Sequence, residues 1–167
     1  MIRTATLSPC GLYRYTLTRE WDPALPRVLF VMLNPSTADA DVDDPTIRCC
    51  IGFAKRDGFG SLEVVNLYAY RSTSPADLWS AQRIGRDIVG PENYPATVGG
   101  IERSAVYVAA WGAHIGEPRQ RAVQVSTPVR LTLHRGGLSC LGTTKDGHPR
   151  HPLYLRSDAA LMPWRMP

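Results

Sequence analysis

The sequence predicts a single α/β domain with a mainly parallel central sheet and helices on both of its faces. The run VLFVML at 28–33 is continuously apolar, which is typical of a strand buried on both sides within a parallel sheet. A helical pattern at 45–57 separates it from a second strand-like stretch, SLEVVNLYAY, at 61–70. Strands that alternate with helices favour the α/β class, and 167 residues suit one domain spanning 1–167.

The elements before the second central strand have clear turn and cap signals. Residues 3–7 and 12–18 flank Pro9-Cys10-Gly11, which predicts an N-terminal hairpin at the periphery of the sheet. The helix at 45–57 starts with a proline, which is favoured at the first helical position because an N–H there would have no intrahelical partner. Asp44 directly precedes this helix and is a candidate N-cap.

The rest of the chain continues the alternation of strands and helices. The predicted helices span 75–84, 91–101 and 117–126, and the predicted strands span 104–112, 129–133 and 138–142. The tail from Gly142 is rich in proline and is predicted to be irregular.

The composition is that of a globular protein. Hydrophobic residues make up 44% of the chain and charged residues 20%. No segment approaches the roughly 20 apolar residues of a membrane span, and the N-terminus lacks the apolar stretch of a signal peptide. We therefore expect a cytoplasmic protein without a membrane partner, and the sequence indicates no obligate protein partner.

Charge and cysteine content limit the classes of ligand that the protein is expected to bind. Residues 103–167 hold nine Lys or Arg and three Asp or Glu, so their net charge is +6 within a chain total of +4. This part of the chain is either a solvated basic face or a surface for a polyanion such as DNA. The cysteines, Cys10, Cys49, Cys50 and Cys140, form no C-x-x-C pair. We therefore expect reduced structural thiols, with no metal and no cofactor.

Polar residues stand where the predicted central strands end. Sheets of this class bind ligands in the crevice beyond the carboxyl ends of their strands. Asn34 follows the first central strand, Asn66 lies in the second, and His151 lies in a late loop. Because these ends meet at one edge of the sheet, we expect the three side chains to converge on one cleft.

Three stretches, VMLNPST, VVNLYAYRSTSP and RHPLYL, resemble in order and spacing the motifs of the uracil-DNA glycosylase superfamily. The combination of NPSTAD, DDPTIRC, NLYAYRST, AAWG and PRHPLYL also resembles, over nearly the whole chain, a bacterial and phage family catalogued as a domain of unknown function. The superfamily resemblance implies a uracil-DNA-glycosylase-like three-layer sandwich. It further implies an enzyme that flips a base out of DNA and hydrolyses its N-glycosidic bond.

The resemblance assigns roles to individual residues. It implies that Asn66 holds the base, that Asn34 holds the attacking water, and that His151 donates to a base oxygen. Leu153 or Tyr154 would fill the gap that the flipped nucleotide leaves. The neighbouring motif residues add further candidates: Pro35, Ser36 and Tyr68 for the base, and Pro152 for DNA. Lys145 and Arg150, from the basic part of the chain, are expected to contact phosphate.

An acidic cluster follows the first motif and has two interpretations. Its members are Asp39, Asp41, Asp43 and Asp44. They form either a solvated loop with one N-cap, or a site in which Asp39 or Asp44 activates water or accepts hydrogen bonds from a decorated base. Many uracil-specific members carry a bulky aromatic residue just after the first motif, where this chain has the small residues Ser36, Thr37 and Ala38. Small residues there favour a pyrimidine with a bulky 5-substituent.

Each candidate also has a purely structural interpretation. Asn34 could cap the following turn, Asn66 could be a satisfied polar residue of a buried strand, and His151 could be a surface histidine like its neighbour His148.

We therefore expect a DNA glycosylase that acts on a modified pyrimidine, one with a 5-substituent such as a glycosyl group, in defence against phages with modified DNA. One alternative is a non-catalytic module that binds a modified base or nucleotide. Others are a base-excision repair enzyme that acts on uracil and an enzyme that acts on free nucleosides or nucleotides. Release of a base from DNA separates the glycosylases from the binding module.

Overall fold

The computed structural model describes residues 1–113 and 137–165, in which seven strands form one mixed sheet. The strands are β1 (Ile2–Leu7), β2 (Arg14–Glu20), β3 (Arg27–Met32), β4 (Ser61–Asn66), β5 (Val106–Ala109), β6 (Leu138–Cys140) and β7 (Met162–Trp164). Their order across the sheet is β1-β2-β4-β3-β5-β6-β7. The predicted helix at 117–126 and the predicted strand at 129–133 lie outside the described residues.

The centre of the sheet is parallel, as the sequence predicts. β3 pairs in parallel with β4 on one side and with β5 on the other, and β5 pairs in parallel with β6. In the register between β3 and β4, Val28 lies opposite Leu62 and Met32 lies opposite Asn66. The predicted N-terminal hairpin of β1 and β2 extends the sheet at its edge, through antiparallel pairing of β2 with β4. The predicted α/β class is therefore confirmed.

Several elements differ from the prediction in their extent; β5, for example, ends at Ala109 rather than at residue 112. The second central strand ends at Asn66 rather than at residue 70, because Ala69 and Tyr70 instead donate to backbone oxygens of the segment before α3. The tail after Gly142 is not wholly irregular, since it contains a 3₁₀-helix, η1 (Pro152–Tyr154), and β7, which pairs antiparallel with β6. β7 has the sequence MPW, which is too short to show an alternation of apolar and polar residues.

Helices cover both faces of the sheet. α1 (Pro45–Arg56) packs on one face, and α2 (Pro75–Arg83) and α3 (Asn93–Arg103) pack on the other. Asp44 accepts a hydrogen bond from the N–H of Ile47 at 2.8 Å, which confirms it as the N-cap of α1. Ser74 caps α2 in the same way. None of the described helices is long and apolar enough to cross a membrane.

β3 contributes to both layers of the core. Val28, Phe30 and Met32 pack on the α1 side, whereas Leu29 and Val31 pack on the side of α2 and α3. Alternate side chains of a strand point to opposite faces, so a strand between two helical layers needs apolar residues at every position. Burying each of these side chains contributes about 1.5–3 kcal/mol, which explains the unbroken run in the sequence.

Replacing Gly60 by alanine should destabilise the fold, whereas the same change at Gly52 should not. A Cβ at Gly60 would overlap the backbone oxygen of Asp22 and lie 2.7 Å from the Cβ of Leu25, so the loop before β3 must shift, which costs about 1–3 kcal/mol. A Cβ at Gly52 in α1 meets no heavy atom within 4 Å, and alanine favours a helix by about 1 kcal/mol. Urea unfolding measures both effects, and equal stabilities of the two variants would contradict this packing.

Candidate functional site

A cavity of about 370 Å³ lies at the carboxyl ends of β3 and β5. The N-terminal ends of α1 and α2 and the helix η1 complete its wall. Sheets of this class bind ligands at this edge. Of the candidate residues, the cavity is lined by Asn34, Ser36, Asp44, His151, Leu153 and Tyr154. The structure therefore places Asn34 and His151 in the wall of one cavity.

The Asn34 amide is oriented by the loop that leads into α2. Its Nδ2 donates to the backbone oxygen and to the hydroxyl of Ser72, both at 3.0 Å, and to the backbone oxygen of Pro35 at 3.1 Å. No described residue donates to its Oδ1. Because the donor end of the amide is held by the protein, Asn34 offers the cavity a hydrogen-bond acceptor.

His151 is held at the start of η1. Its Nδ1 accepts a hydrogen bond from the N–H of Leu153 at 3.4 Å, so the neutral ring carries its proton on Nε2 and is a donor there. The ring centroids of His151 and Tyr154 are 5.6 Å apart. Gly112 makes room for this arrangement, with a φ of +76° and a position at which a Cβ would lie 3.4 Å from the Cβ of His151.

Two large apolar side chains of η1 stand exposed in the cavity wall. Leu153 is 38% exposed and Tyr154 is 75% exposed. Pro152, which was expected to contact DNA with them, is buried and does not line the cavity. Both side chains are thus accessible from the cavity and from solvent.

Asn66 is not part of the cavity wall. It is 2% exposed and lies on the α1 side of the sheet, one strand spacing of about 4.8 Å from Met32, which does line the cavity. Its Oδ1 and Nδ2 have no hydrogen-bond partner among the described residues, and a buried polar group without one costs about 1–3 kcal/mol. The structure therefore separates Asn66 from the pair formed by Asn34 and His151, and it also leaves Asn66 unsatisfied.

Two other candidates for base binding are buried away from the cavity. Tyr68 is 1% exposed and packs in the core, with its ring centroid 5.3 Å from that of Trp79. Pro35 is buried, and its backbone oxygen accepts from the N–H of Ser72 at 2.9 Å. Ala38 is fully buried, so the small residues that face the cavity are Ser36 and its neighbour Thr37.

Two members of the acidic cluster, Asp39 and Asp43, form hydrogen bonds or ion pairs within the protein. The carboxylate of Asp39 accepts from two backbone N–H groups of that loop, at 2.9 and 3.0 Å, and these bonds lower its pKa. Asp43 pairs with arginines of the hairpin. Of the cluster, Asp44 alone lines the cavity, while Asp39, the other predicted catalytic carboxylate, does not.

Two buried arginines of β2 hold the loop 36–44 in place. Arg19 donates to the carboxylate of Asp43 at 2.7 Å and to a backbone oxygen of the loop. Arg14 donates to another backbone oxygen of the loop at 2.6 Å. Burial lowers the pKa of Arg14 to about 10, although the charge of Asp44 acts in the opposite direction. Hydrogen bonds from β2 thus hold the loop 36–44, which forms part of the cavity wall, against the N-terminal hairpin.

The predicted phosphate contacts lie on the segment that leads to His151. Lys145 and Arg150 are both exposed and do not line the cavity. Lys145 is in a turn closed by a hydrogen bond from the N–H of Thr144 to the backbone oxygen of His148, at 2.8 Å. Both cations are therefore presented to solvent close in sequence to the cavity.

Sequence reasoning missed several hydroxyl groups in the wall. Thr46 lies in the first turn of α1, and Ser72 and Thr73 lie in the loop before α2. The signal that could have found the loop residues was Ser74-Pro75, a helix start that follows a central strand. Within the described residues, no group of three or more His, Cys, Asp or Glu side chains could hold a metal ion.

The fold and the cavity define an α/β protein with a crevice at the carboxyl edge of its parallel strands. Residues 14–153 match the family described as "Protein of unknown function (DUF1643)", and the chain belongs to that family. No curated protein and no solved structure gives a significant match to the chain.

Replacing Arg19 by methionine should destabilise the protein far more than the same change at Arg156. Arg19 is fully buried and its loss leaves Asp43 with a weaker partner, Arg3, at 3.4 Å, and breaking a buried pair costs about 3 kcal/mol. Arg156 forms an ion pair with Asp158 in which both side chains are largely exposed, so its loss should change stability by less than about 0.5 kcal/mol. Urea unfolding provides the comparison, and a small effect at Arg19 would show that the loop 36–44 does not depend on it.

Proposed function

We propose that this protein is a DNA glycosylase that hydrolyses the N-glycosidic bond of a 5-substituted pyrimidine in DNA and leaves an abasic site. The observation that carries the proposal is the meeting, in one cavity, of an acceptor at Asn34 and a donor at His151 beside two exposed apolar side chains. Enzymes that flip a base hold it with hydrogen-bonding groups and with apolar side chains of these kinds. On this proposal the fold is a uracil-DNA-glycosylase-like three-layer sandwich, and the role is defence against phages with modified DNA.

His151 is suited to stabilise the departing base. When the bond between the sugar C1′ and the base nitrogen breaks, its electron pair moves to the base and negative charge builds on a base oxygen. The Nε2–H of His151 donates to that oxygen. A donor that is positioned for developing charge contributes about 2.7–4 kcal/mol to lowering the barrier.

Asn34 and Asp44 are suited to orient and deprotonate the water that attacks C1′. The Oδ1 of Asn34 accepts one hydrogen of the water, which orients the water oxygen towards the sugar. Asp44 is the only carboxylate in the described part of the wall, and one of its oxygens caps α1. Its other oxygen takes the proton of the water as the new bond between oxygen and C1′ forms.

Asn66 is suited to reading the polar edge of the base. Its amide has one acceptor and two donors, and neither of its polar atoms has a protein partner in the described residues. Met32 lies beside it and lines the cavity, and a methionine side chain changes conformation easily. Rotation of Met32 on ligand binding would give the base access to Asn66.

The exposed side chains of η1 are suited to stabilising a flipped nucleotide. Extruding a base costs a few kcal/mol, and an apolar side chain inserted between base steps compensates part of the lost stacking. Leu153 and Tyr154 are exposed and belong to the same short helix that holds His151. Insertion of either residue would therefore be coupled to placing the base against His151.

The hydroxyl groups of the wall favour a substrate with a polar substituent. Ser36, Thr37, Thr46 and Thr73 all line the cavity, and none of their hydroxyls bonds to another described residue. Neutral hydrogen bonds contribute about 0.5–1.5 kcal/mol each, so two of them would favour a hydroxylated substituent at C5 roughly tenfold or more over a plain pyrimidine.

The test is an assay of base release from DNA that contains either uracil or a bulky 5-substituted pyrimidine such as glucosylated 5-hydroxymethylcytosine. We expect the wild type to release the bulky base, and Asn34→Ala to lose activity roughly 100-fold because the water is no longer held. Ser36→Tyr should suppress release of the bulky base more than release of uracil, since it narrows the wall. Chromatography of the free base and alkaline cleavage at abasic sites are the two readouts.

Val42→Tyr is the matched control for Ser36→Tyr, because Val42 belongs to the same loop but is 58% exposed and does not line the cavity. It should leave both rates unchanged. Tight binding of modified DNA without release of any base would contradict the proposed hydrolysis and indicate the binding module instead. Release of uracil alone would contradict the proposed substrate.

Removing Lys145 or Arg150 should weaken DNA binding uniformly across sequences. Each phosphate contact releases counterions, so Lys145→Ala and Arg150→Ala should each reduce the slope of log K against log salt concentration by roughly 1. Arg83→Ala is the control, because Arg83 lies in the last turn of α2, at the opposite end from the residues that line the cavity. Fluorescence anisotropy with labelled DNA at several salt concentrations measures the slopes, and identical slopes for all variants would exclude these contacts.

A further inference from the structure

The loop before α2 contains a chain of hydrogen bonds that ends on Asn34. The Nδ2 of Asn34 donates to the hydroxyl of Ser72 at 3.0 Å, and this hydroxyl donates in turn to the backbone oxygen of Ser74 at 2.9 Å. A hydroxyl has a single proton. Since the proton of Ser72 is used on Ser74, its oxygen can only accept from Asn34, which specifies the amide orientation.

The backbone of Ser72 reinforces that orientation from both sides. Its carbonyl oxygen accepts from the Nδ2 of Asn34 at 3.0 Å, and its N–H donates to the backbone oxygen of Pro35 at 2.9 Å. If the amide were flipped, its Oδ1 would face the carbonyl oxygen of Ser72, which has no proton to share. The loop therefore holds the end of β3 and selects one of the two amide orientations of Asn34.

We infer that Ser72 is a positioning residue that keeps the Oδ1 of Asn34 directed to the cavity. It acts through Asn34 and takes no part in the bond-breaking step. The orientation of Asn34 follows from the geometry alone, whereas its effect on base release rests on the proposed function. Thr73 does not share this role, because its side chain forms no hydrogen bond to any described residue.

The side-chain amide signals of asparagine provide a direct test that does not require activity. The chain has three asparagines, Asn34, Asn66 and Asn93, so the Asn34 pair of NH₂ resonances can be assigned with Asn34→Asp. We expect slow hydrogen exchange at Asn34 in the wild type and severalfold faster exchange in Ser72→Ala. The Asn93 amide, which donates to backbone oxygens at 3.0 and 3.2 Å, should exchange at the same rate in both proteins.

Kinetics of base release give the second readout. Ser72→Ala should lower kcat roughly tenfold with little change in KM, because the water is less well oriented while the base still binds. Ser72→Thr, which keeps the hydroxyl, should restore both the slow exchange and kcat. Ser74→Ala is the matched control, since it removes the N-cap of α2 but keeps the backbone oxygen that Ser72 uses, and its kcat should be unchanged.

Two results would overturn the inference. One is fast exchange of the Asn34 amide in the wild type, as for an exposed asparagine. The other is an equal fall in kcat for Ser72→Ala and Ser74→Ala, which would assign the effect to the stability of the loop. If the wild type releases no base from any substrate, the proposed glycosylase fails, and the exchange rates alone decide whether Ser72 orients Asn34.

Discussion

The structure depends on the enclosure of β3. Its two edges pair with β4 and β5, and its two faces are covered by α1 and by α2 and α3. A chain that leaves such a strand can emerge only at the carboxyl edge of the sheet. The residues that follow β3, Asn34 among them, are thereby brought to the crevice, and their chemistry depends on what the neighbouring loops place beside them.

The cavity wall consists of segments that are held by separate polar interactions. Arg14 and Arg19 hold the loop 36–44 through its backbone oxygens and through Asp43. Asn34 holds the loop before α2. These interactions lie largely within the protein, so they are little weakened by competing water and persist without a ligand. A wall that is formed in advance reduces the loss of conformational freedom when a ligand binds.

Most of the fold could be predicted from patterns within a few neighbouring residues. The site could be predicted only in part, because it depends on contacts between residues that are distant in the sequence. The apolar run of β3 and the cap and proline that start α1 act within a few residues, so the sequence alone reveals them. Asn34 was found because it directly follows a central strand, and His151 because it belongs to the motif RHPLYL. Asn66 was expected there as well, but it lies on β4, one strand beyond Met32, and it does not line the cavity. The contribution of Ser72 depends on which strand end its loop lies beside, and no local pattern contains that information.

The order of strands in the sheet also bears on how the chain folds during synthesis. β1 and β2 are neighbours in both sequence and space, so their hairpin can form as soon as it leaves the ribosome. β3 comes next, yet both of its partners, β4 and β5, are synthesised after it. Its apolar residues therefore stay uncovered until about residue 109 has emerged. The strand that most strongly defines the native fold is thus also, in the nascent chain, a segment exposed to aggregation and to capture by chaperones.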